Sequence, residues 1–164
     1  MEGGYYRVDL NDKISVLALN TMYFDSERDS NIVTAPKGKK QLDWIKKQFA
    51  EDSERKFIPI NHNYPGARYK AFELWMKQPA EEYFKILKQN KDRVIMEISG
   101  HDHFSSLRVH KENEDEYYHN IFVAPSVSPW YSNNPGVASL KISTDDHVPH
   151  GLKTTFLNLA ATIG

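Results

Sequence analysis

The order of the predicted elements is the feature that most limits how this chain can fold. Short apolar runs at Ile14–Leu19, Lys56–Ile60 and Val94–Ile98 predict three strands. Two amphipathic segments, Lys39–Glu51 and Ala80–Asn90, predict helices between them. Strands that alternate with helices in this way form βαβ units, whose strands are parallel and whose crossovers are right-handed. The first part of the chain therefore predicts a parallel sheet.

The pattern changes after residue 103, where short strands follow one another without helices. Four segments predict them: Phe104–His110, Ile121–Ala124, Val137–Ile142 and Thr154–Leu159. Such strands form hairpins, so we expect an α/β fold that passes into antiparallel β. The acidic stretch Lys111–Glu116 lacks the ligand spacing of a calcium loop and predicts a solvated hairpin tip.

Composition and charge exclude several classes of function. The 164 residues suit one domain or part of one, and a net charge of −1 provides no field that would attract nucleic acid. A nucleic-acid binder would rest only on the lysines at 37, 39, 40, 46 and 47, which predict a solvated helix face. No cysteine is present, which excludes thiolate metal sites. No apolar run is long enough to span a membrane, and the compartment is left open.

Polar residues follow each of the three predicted parallel strands. Asn20 follows the first strand, His62 follows the second, and Gly100–His103 follows the third. Ligands of open parallel sheets gather at the carboxyl ends of the strands, and neutral imidazole is a common ligand of zinc, manganese and iron. We therefore predict a metal site formed by His62, His101 and His103. The alternative is that these are ordinary hydrogen-bonded histidines, because His-x-His alone is a weak pattern.

The other histidines and the nearby carboxylates are weaker candidates. Asp102 lies between two candidate ligands, where its side chain can point away from both, and Asp25 and Asp29 lie in a charged stretch after the first strand. The remaining histidines are expected in surface or hydrogen-bonded roles; they are His110, His119, His147 and His150.

Two segments resemble the motifs of a known family. Asn61–Gly66 resembles the Gly-His-x-Pro-Pro-Gly segment of calcineurin-like metallophosphoesterases, and Gly100–His103 resembles their Gly-His-x-His segment. The closer resemblance is to the acid sphingomyelinase-like phosphodiesterase branch, and it spans nearly the whole chain. Five further segments carry it in the same order: Gly3–Tyr6, Leu19–Thr21, Gln41–Trp44, Ile121–Trp130 and Asn134–Gly136.

The resemblance implies a four-layer αββα sandwich and a two-metal hydrolase of phosphoric esters or diesters. His62 and His101 would bind one divalent ion and His103 the other, with zinc as the first candidate and manganese or iron as alternatives. Asn20, Tyr64 and Trp130 are expected to line the substrate site, although packing is an equal expectation for the aromatic residues. Members of this branch are often secreted or lysosomal.

Departures from the family pattern raise a second possibility. Asn61 replaces a glycine, and Asn63-Tyr64-Pro65 stands where x-Pro-Pro is expected. The earlier motifs, Asp-x-His, Gly-Asp and Gly-Asn-His-Asp/Glu, have no counterpart, so the resemblance predicts that residues 1–164 form the C-terminal portion of the domain.

Three neutral imidazoles cannot offset two divalent cations, so we expect little or no hydrolysis by the chain alone. The expected partner is the N-terminal half of the same domain, or a second copy of the chain. The alternative is a truncated, non-catalytic remnant that acts as an interaction or accessory module.

Overall fold

A six-stranded mixed sheet is the centre of the fold. The computed structural model describes residues 3–27, 35–68 and 72–162. The sheet has the order β1-β2-β3-β6-β8-β7, and two smaller two-stranded sheets pair β4 with β5 and β9 with β10. The strands are β1 Tyr6–Asp9, β2 Ile14–Ala18, β3 Lys56–Ile60, β4 Ala67–Arg68, β5 Phe72–Glu73, β6 Glu97–Ser99, β7 Ser106–Lys111, β8 Tyr117–Val123, β9 Gly136–Ile142 and β10 Pro149–Phe156. The helices are α1 Ala35–Glu51, α2 Lys77–Gln89 and α3 Leu159–Thr162.

The predicted parallel sheet is confirmed, and it contains one more strand than predicted. Strands β2, β3, β6 and β8 are parallel, while β1 and β7 lie antiparallel at the two edges. The predicted antiparallel continuation is confirmed in the β7–β8 and β9–β10 hairpins, and β8 also pairs parallel with β6, which was not predicted. Burial explains the placement: Ile121 and Val123 of β8 are fully buried, as an interior strand requires, whereas Leu107 and Val109 of β7 are exposed.

Helices α1 and α2 bury their apolar faces against the sheet. Ile45 and Phe49 of α1 and Leu87 of α2 belong to the main core together with Phe57 of β3. Both helices begin earlier than the apolar pattern predicts, because the first turn of a helix tolerates proline, here Pro36 and Pro79. The acidic stretch after β7 is largely exposed and forms the predicted hairpin tip.

The β9–β10 hairpin touches the larger sheet at both of its ends. A Cβ at Gly136 would lie 3.2 Å from the Pro125 side chain, and Lys56 Nζ at the start of β3 donates to the Asp146 carbonyl at 3.0 Å. Every residue of β10 is exposed, and within the described ranges no strand pairs with its outer edge. The hairpin therefore presents an open strand edge.

Some predicted bounds are wrong, and three short strands were not predicted. In the segment Val94–Ile98 only Glu97 and Ile98 join a strand, because the chain before it forms a 3-10 turn at Lys91–Arg93. Strand β1 and the small β4–β5 hairpin lack the apolar runs that identified the other strands. The candidate Asp29 lies outside the described residues.

A partly buried histidine makes the stability of the fold depend on pH. The His110 ring lies 4.5 Å from the Phe84 ring and 6.0 Å from the His119 ring. Burial, with His119 and Arg108 acting in the same direction and Glu97 opposing them, lowers the pKa of His110 to about 4. The unfolded chain retains a histidine pKa of about 6.5, so it takes up this proton first as pH falls.

We predict that the contribution of His110 to stability is complete above about pH 6.5 and declines as pH falls towards about 4. Urea unfolding followed by circular dichroism at a series of pH values measures the effect. His110→Gln should flatten this part of the profile, and His150→Gln, at an exposed position, should leave it as it is. An equal slope in His110→Gln and in the unmodified protein would contradict the prediction.

Candidate metal centre

Two histidine-bearing turns lie side by side at the carboxyl edge of the sheet. One follows β3 and carries His62, and the other follows β6 and carries His101 and His103. The parallel pairing of Ile60 with Ile98 brings these strand ends together. Two backbone hydrogen bonds continue the pairing beyond the strands, from Asn61 N–H to the Ile98 carbonyl and from Gly100 N–H to the His62 carbonyl, each at 3.1 Å.

The structure brings His62 and His101 within ligand-sharing distance. His101 Nδ1 lies 3.4 Å from His62 Nε2, and the two rings are nearly perpendicular at 88°. Two nitrogens that bind one tetrahedral zinc ion at about 2.0–2.1 Å stand about 3.3 Å apart. The same separation also allows a weak N–H···N hydrogen bond between the rings. At this separation the two nitrogens can either share a proton in a hydrogen bond or bind one metal ion.

The surroundings of His101 favour its neutral form. Burial lowers the pKa of the His101 imidazole, and His62 and Arg68 act in the same direction, while Asp102 and Asp25 oppose the shift. The neutral ring has a nitrogen lone pair available for a metal, which the imidazolium lacks. His101 is therefore held in the state that a metal ligand requires.

His103 lies at the same edge but does not join the pair in one cluster. Its Nδ1 atom is buried and has no hydrogen-bond partner, and its ring lies 5.7 Å from the Tyr131 ring. Within residues 3–27, 35–68 and 72–162, no group of three or more His, Cys, Asp or Glu side chains could hold a metal ion. The assignment of His103 to a second ion stays a prediction.

The available side-chain donors suit a transition metal but are too few to complete its coordination. Imidazole nitrogens suit zinc and related ions, whereas calcium and magnesium prefer oxygen ligands. His62 and His101 would supply two of the four ligands of a typical zinc site, and the unpartnered nitrogen of His103 is a donor outside this pair. A metal site at this edge of the sheet therefore stays a prediction.

Tyr64 does not line an open surface, which corrects the expectation for this residue. Its side chain is fully buried, its hydroxyl donates to Asp102, and the Arg108 guanidinium lies 4.0 Å from its ring centroid. Burial first and the bond to Asp102 second raise the pKa of the Tyr64 hydroxyl. Tyr64 is therefore protonated in the folded protein and serves as an internal hydrogen-bond donor.

Asn20 and Trp130 remain candidates for contact with a substrate. Asn20 follows β2 at the same edge, and its side-chain Nδ2 donates to the Gly3 carbonyl at 3.0 Å. Trp130 is 64% exposed. The Asn133 side chain connects the loop that carries His103 to the loop that carries Trp130. Its Nδ2 donates to the carbonyls of both residues, at 3.3 Å in each case. An exposed aromatic ring therefore lies on the loop next to His103.

A buried carboxylate beneath the two turns was not predicted. Glu97 is fully buried and accepts hydrogen bonds from Asn61 Nδ2 at 2.6 Å and Tyr83 Oη at 2.9 Å, and its Oε2 lies 2.7 Å from His119 Nε2. Ser99 Oγ donates to Asn61 Oδ1 at 2.7 Å. The sequence does contain a signal for this buried network, because Glu97 is an acidic residue inside an apolar run. Buried carboxylates are rare unless they are paired.

Comparison with known proteins identifies relatives of the chain. No family model matches it. The chain is 30% identical over 154 residues to the sphingomyelinase phosphodiesterase C of Dictyostelium discoideum, which covers 82% of this chain and 34% of that protein. It is 26% identical over 158 residues to the acid sphingomyelinase-like phosphodiesterase 3b of Mus musculus, with 90% and 34% covered. The chain is a relative of the acid sphingomyelinase-like phosphodiesterases.

The fold agrees with this relationship. The chain superposes with a TM-score of 0.51 on a dimetal phosphatase from Danio rerio, covering 74% of this chain and 48% of that one at 11% identity. At this identity the likeness establishes the metallophosphoesterase fold alone. The chain spans about a third of the length of the curated relatives that it matches. Among the helices in the described ranges, none is long and apolar enough to cross a membrane.

We predict that His62→Ala and His101→Ala each lower the affinity for Zn²⁺ by at least about tenfold, because loss of a direct ligand exceeds the usual effect of losing an outer-shell partner. Isothermal titration calorimetry with Zn²⁺ measures the dissociation constant. The matched control is His150→Ala, which removes an exposed imidazole from β10. Unchanged affinity in both variants would exclude the pair as ligands.

Proposed function

We propose that this chain supplies the histidine half of the active site of a metal-dependent hydrolase of phosphoric esters or diesters. The observation that carries the proposal is the 3.4 Å approach of His101 Nδ1 to His62 Nε2 at the carboxyl edge of a metallophosphoesterase fold. The relationship to acid sphingomyelinase-like phosphodiesterases supports the reaction class.

His62 and His101 would hold one divalent ion and His103 would contribute to a second, with zinc the first candidate and manganese or iron the alternatives. When bound, such ions lower the pKa of a coordinated water and offset negative charge on the phosphoryl oxygens. This chain would position the histidine ligands: the parallel sheet fixes both turns, and the surroundings keep His101 neutral.

Other residues at this edge would contact the part of the substrate that does not react. The exposed Trp130 ring offers an apolar surface on the loop next to His103, and Asn20 presents a polar side chain beyond β2. Binding energy from such distant contacts orients the phosphoryl group relative to the metal ligands.

We further propose that residues 1–164 form the C-terminal portion of a larger domain. The carboxylate nearest the histidine pair in sequence, Asp102, is already engaged by two arginines, so it does not balance the charge of a bound cation. The open edge of β10 and the exposed Leu152 and Phe156 provide a surface for the N-terminal half, or for a second copy of the chain. Hydrolysis by the chain alone should therefore be weak.

A non-catalytic accessory module is the second candidate. It is favoured by the lack of a cluster of three or more potential metal ligands in the part of the chain that the structure describes. Such a module would keep the fold and the open β10 edge but would gain no activity when the other half is supplied.

Hydrolysis of bis(p-nitrophenyl) phosphate in the presence of Zn²⁺ distinguishes the two functions. We predict that adding the N-terminal half of a related phosphodiesterase increases the rate, and that His101→Ala and His103→Ala each reduce that rate by at least about a hundredfold, as expected when a catalytic metal is lost. His150→Ala is the control and should keep the rate. An unchanged rate and metal content in both variants would refute the hydrolase, and a complex that forms without activity would support the module.

A further inference from the structure

A side-chain bond joins the two histidine-bearing turns. Tyr64 lies two residues after His62, and its hydroxyl donates to Asp102, which lies between His101 and His103. Both partners are buried, Tyr64 completely and Asp102 to all but 5% of its surface. A hydrogen bond from a hydroxyl to a buried carboxylate is charge-assisted and stronger than one between neutral groups.

The turn that carries Asp102 has a strained backbone. His101 has φ 77° and His103 has φ 65°, in the left-handed region that residues other than glycine rarely adopt. The Asp102 N–H donates to the Gly100 carbonyl at 3.0 Å, so His101 is the central residue of a γ-turn of the rare form with positive φ. Such conformations persist only where the surrounding contacts hold them in place.

Two arginines complete the contacts around Asp102. Arg68 Nε lies 2.8 Å from Asp102 Oδ1, and Arg108 Nη2 lies 3.5 Å from Asp102 Oδ2. Arg108 Nη2 also donates to the Tyr64 hydroxyl oxygen at 2.6 Å, and its Nη1 donates to the Ala67 carbonyl at 2.7 Å. Both oxygens of Asp102 therefore lie within ion-pair distance of an arginine.

We propose that Tyr64 and Asp102 are positioning residues, and that their bond, here named the Tyr64–Asp102 lock, holds His62 and His101 at ligand-sharing distance. Tyr64 stands where the motif that this segment resembles has a proline, so the lock belongs to this chain and not to the motif. The lock fixes one turn against the other and holds the strained His101 conformation, which sets where Nδ1 of His101 points. The role in metal binding rests on the proposed function, whereas the effect on the turn does not.

Two substitutions test the lock with little change in volume. Tyr64→Phe removes the hydroxyl and keeps the ring under Arg108, and Asp102→Asn removes the carboxylate charge. The matched controls change residues at the amino ends of the parallel strands, away from the two turns. They are Tyr118→Phe, near the start of β8, and Asp52→Asn, whose carboxylate pairs with Arg55 at 3.1 Å before β3.

Two measurements are made on each variant. The first is the dissociation constant for Co²⁺, from titration calorimetry together with the visible spectrum of the bound ion. We expect both lock variants to lose about 10- to 100-fold in affinity, as for other outer-shell partners of a metal site. The double variant should lose no more than the weaker-binding single variant, because both substitutions act on the same bond: Phe lacks the hydroxyl that donates it, and Asn keeps an acceptor but loses the charge that strengthens it.

The second measurement needs no metal. Hydrogen exchange of the Gly100 amide reports its bond to the His62 carbonyl, which joins the two turns, and exchange of the Asp102 amide reports its bond to the Gly100 carbonyl, which closes the strained turn. We expect faster exchange at these two amides in the lock variants, with core amides such as that of Ile121 unchanged, and no change in the controls. A protein that was merely less stable would instead exchange faster throughout the core.

The outcomes separate the lock from the proposed function. Weaker Co²⁺ binding in His62→Ala and His101→Ala, with unchanged affinity, spectrum and exchange in both lock variants, would overturn the lock and leave the metal site standing. No Co²⁺ binding by the unmodified chain, either alone or with the N-terminal half supplied, would count against the proposed function, and the exchange measurement would still support or overturn the lock. Additive losses in the double variant would also overturn it.

Discussion

The parallel pairing of β3 with β6 is the contact on which the candidate site depends. Ile60 of β3 and Ile98 of β6 are in register, and Phe57 of β3 forms a further parallel bridge with Val94 just before β6. Two backbone bonds beyond the strands hold Asn61 and Gly100 as well. The histidine pair therefore rests on a short junction in the middle of the sheet, where both neighbours, β2 and β8, are also parallel. Because parallel strands end at one edge, residues far apart in sequence share one surface.

Buried polar contacts beneath and beside this junction replace apolar packing. Below it, Glu97 connects Asn61 to Tyr83 and His119, and beside it Asp102 takes part in a separate set of ionic contacts. A buried carboxylate contributes little net stability, because the loss of its hydration offsets the bonds that it forms. Its directed bonds, however, permit fewer arrangements than apolar packing does. We therefore interpret both sets as determinants of where the turns lie rather than as sources of stability.

The sequence predicted the elements that have strong local patterns. Lys56–Ile60 was predicted with its observed bounds because Phe57, Ile58 and Ile60 favour a buried strand, and both long helices followed from their apolar faces. The position of β8 beside β6 could not be predicted, since it depends on which elements cover Ile121 and Val123 on one face of the strand and Phe122 on the other. Local patterns identify elements, whereas the order of strands in a sheet depends on long-range packing.

The candidate site likewise combines features that the sequence predicted with features that it did not. The positions of His62 and His101 followed from strand ends and motif resemblance, both of which are visible in sequence. The burial of Tyr64 did not, because an aromatic residue in a loop rich in proline and asparagine carries no sign of the carboxylate that it will contact. Asp102 looked like a potential ligand by position, but two arginines engage its charge. Since those arginines also disfavour a cation nearby, we expect His62 and His101 alone to hold a metal weakly, and negative ligands from the proposed partner surface would strengthen its binding.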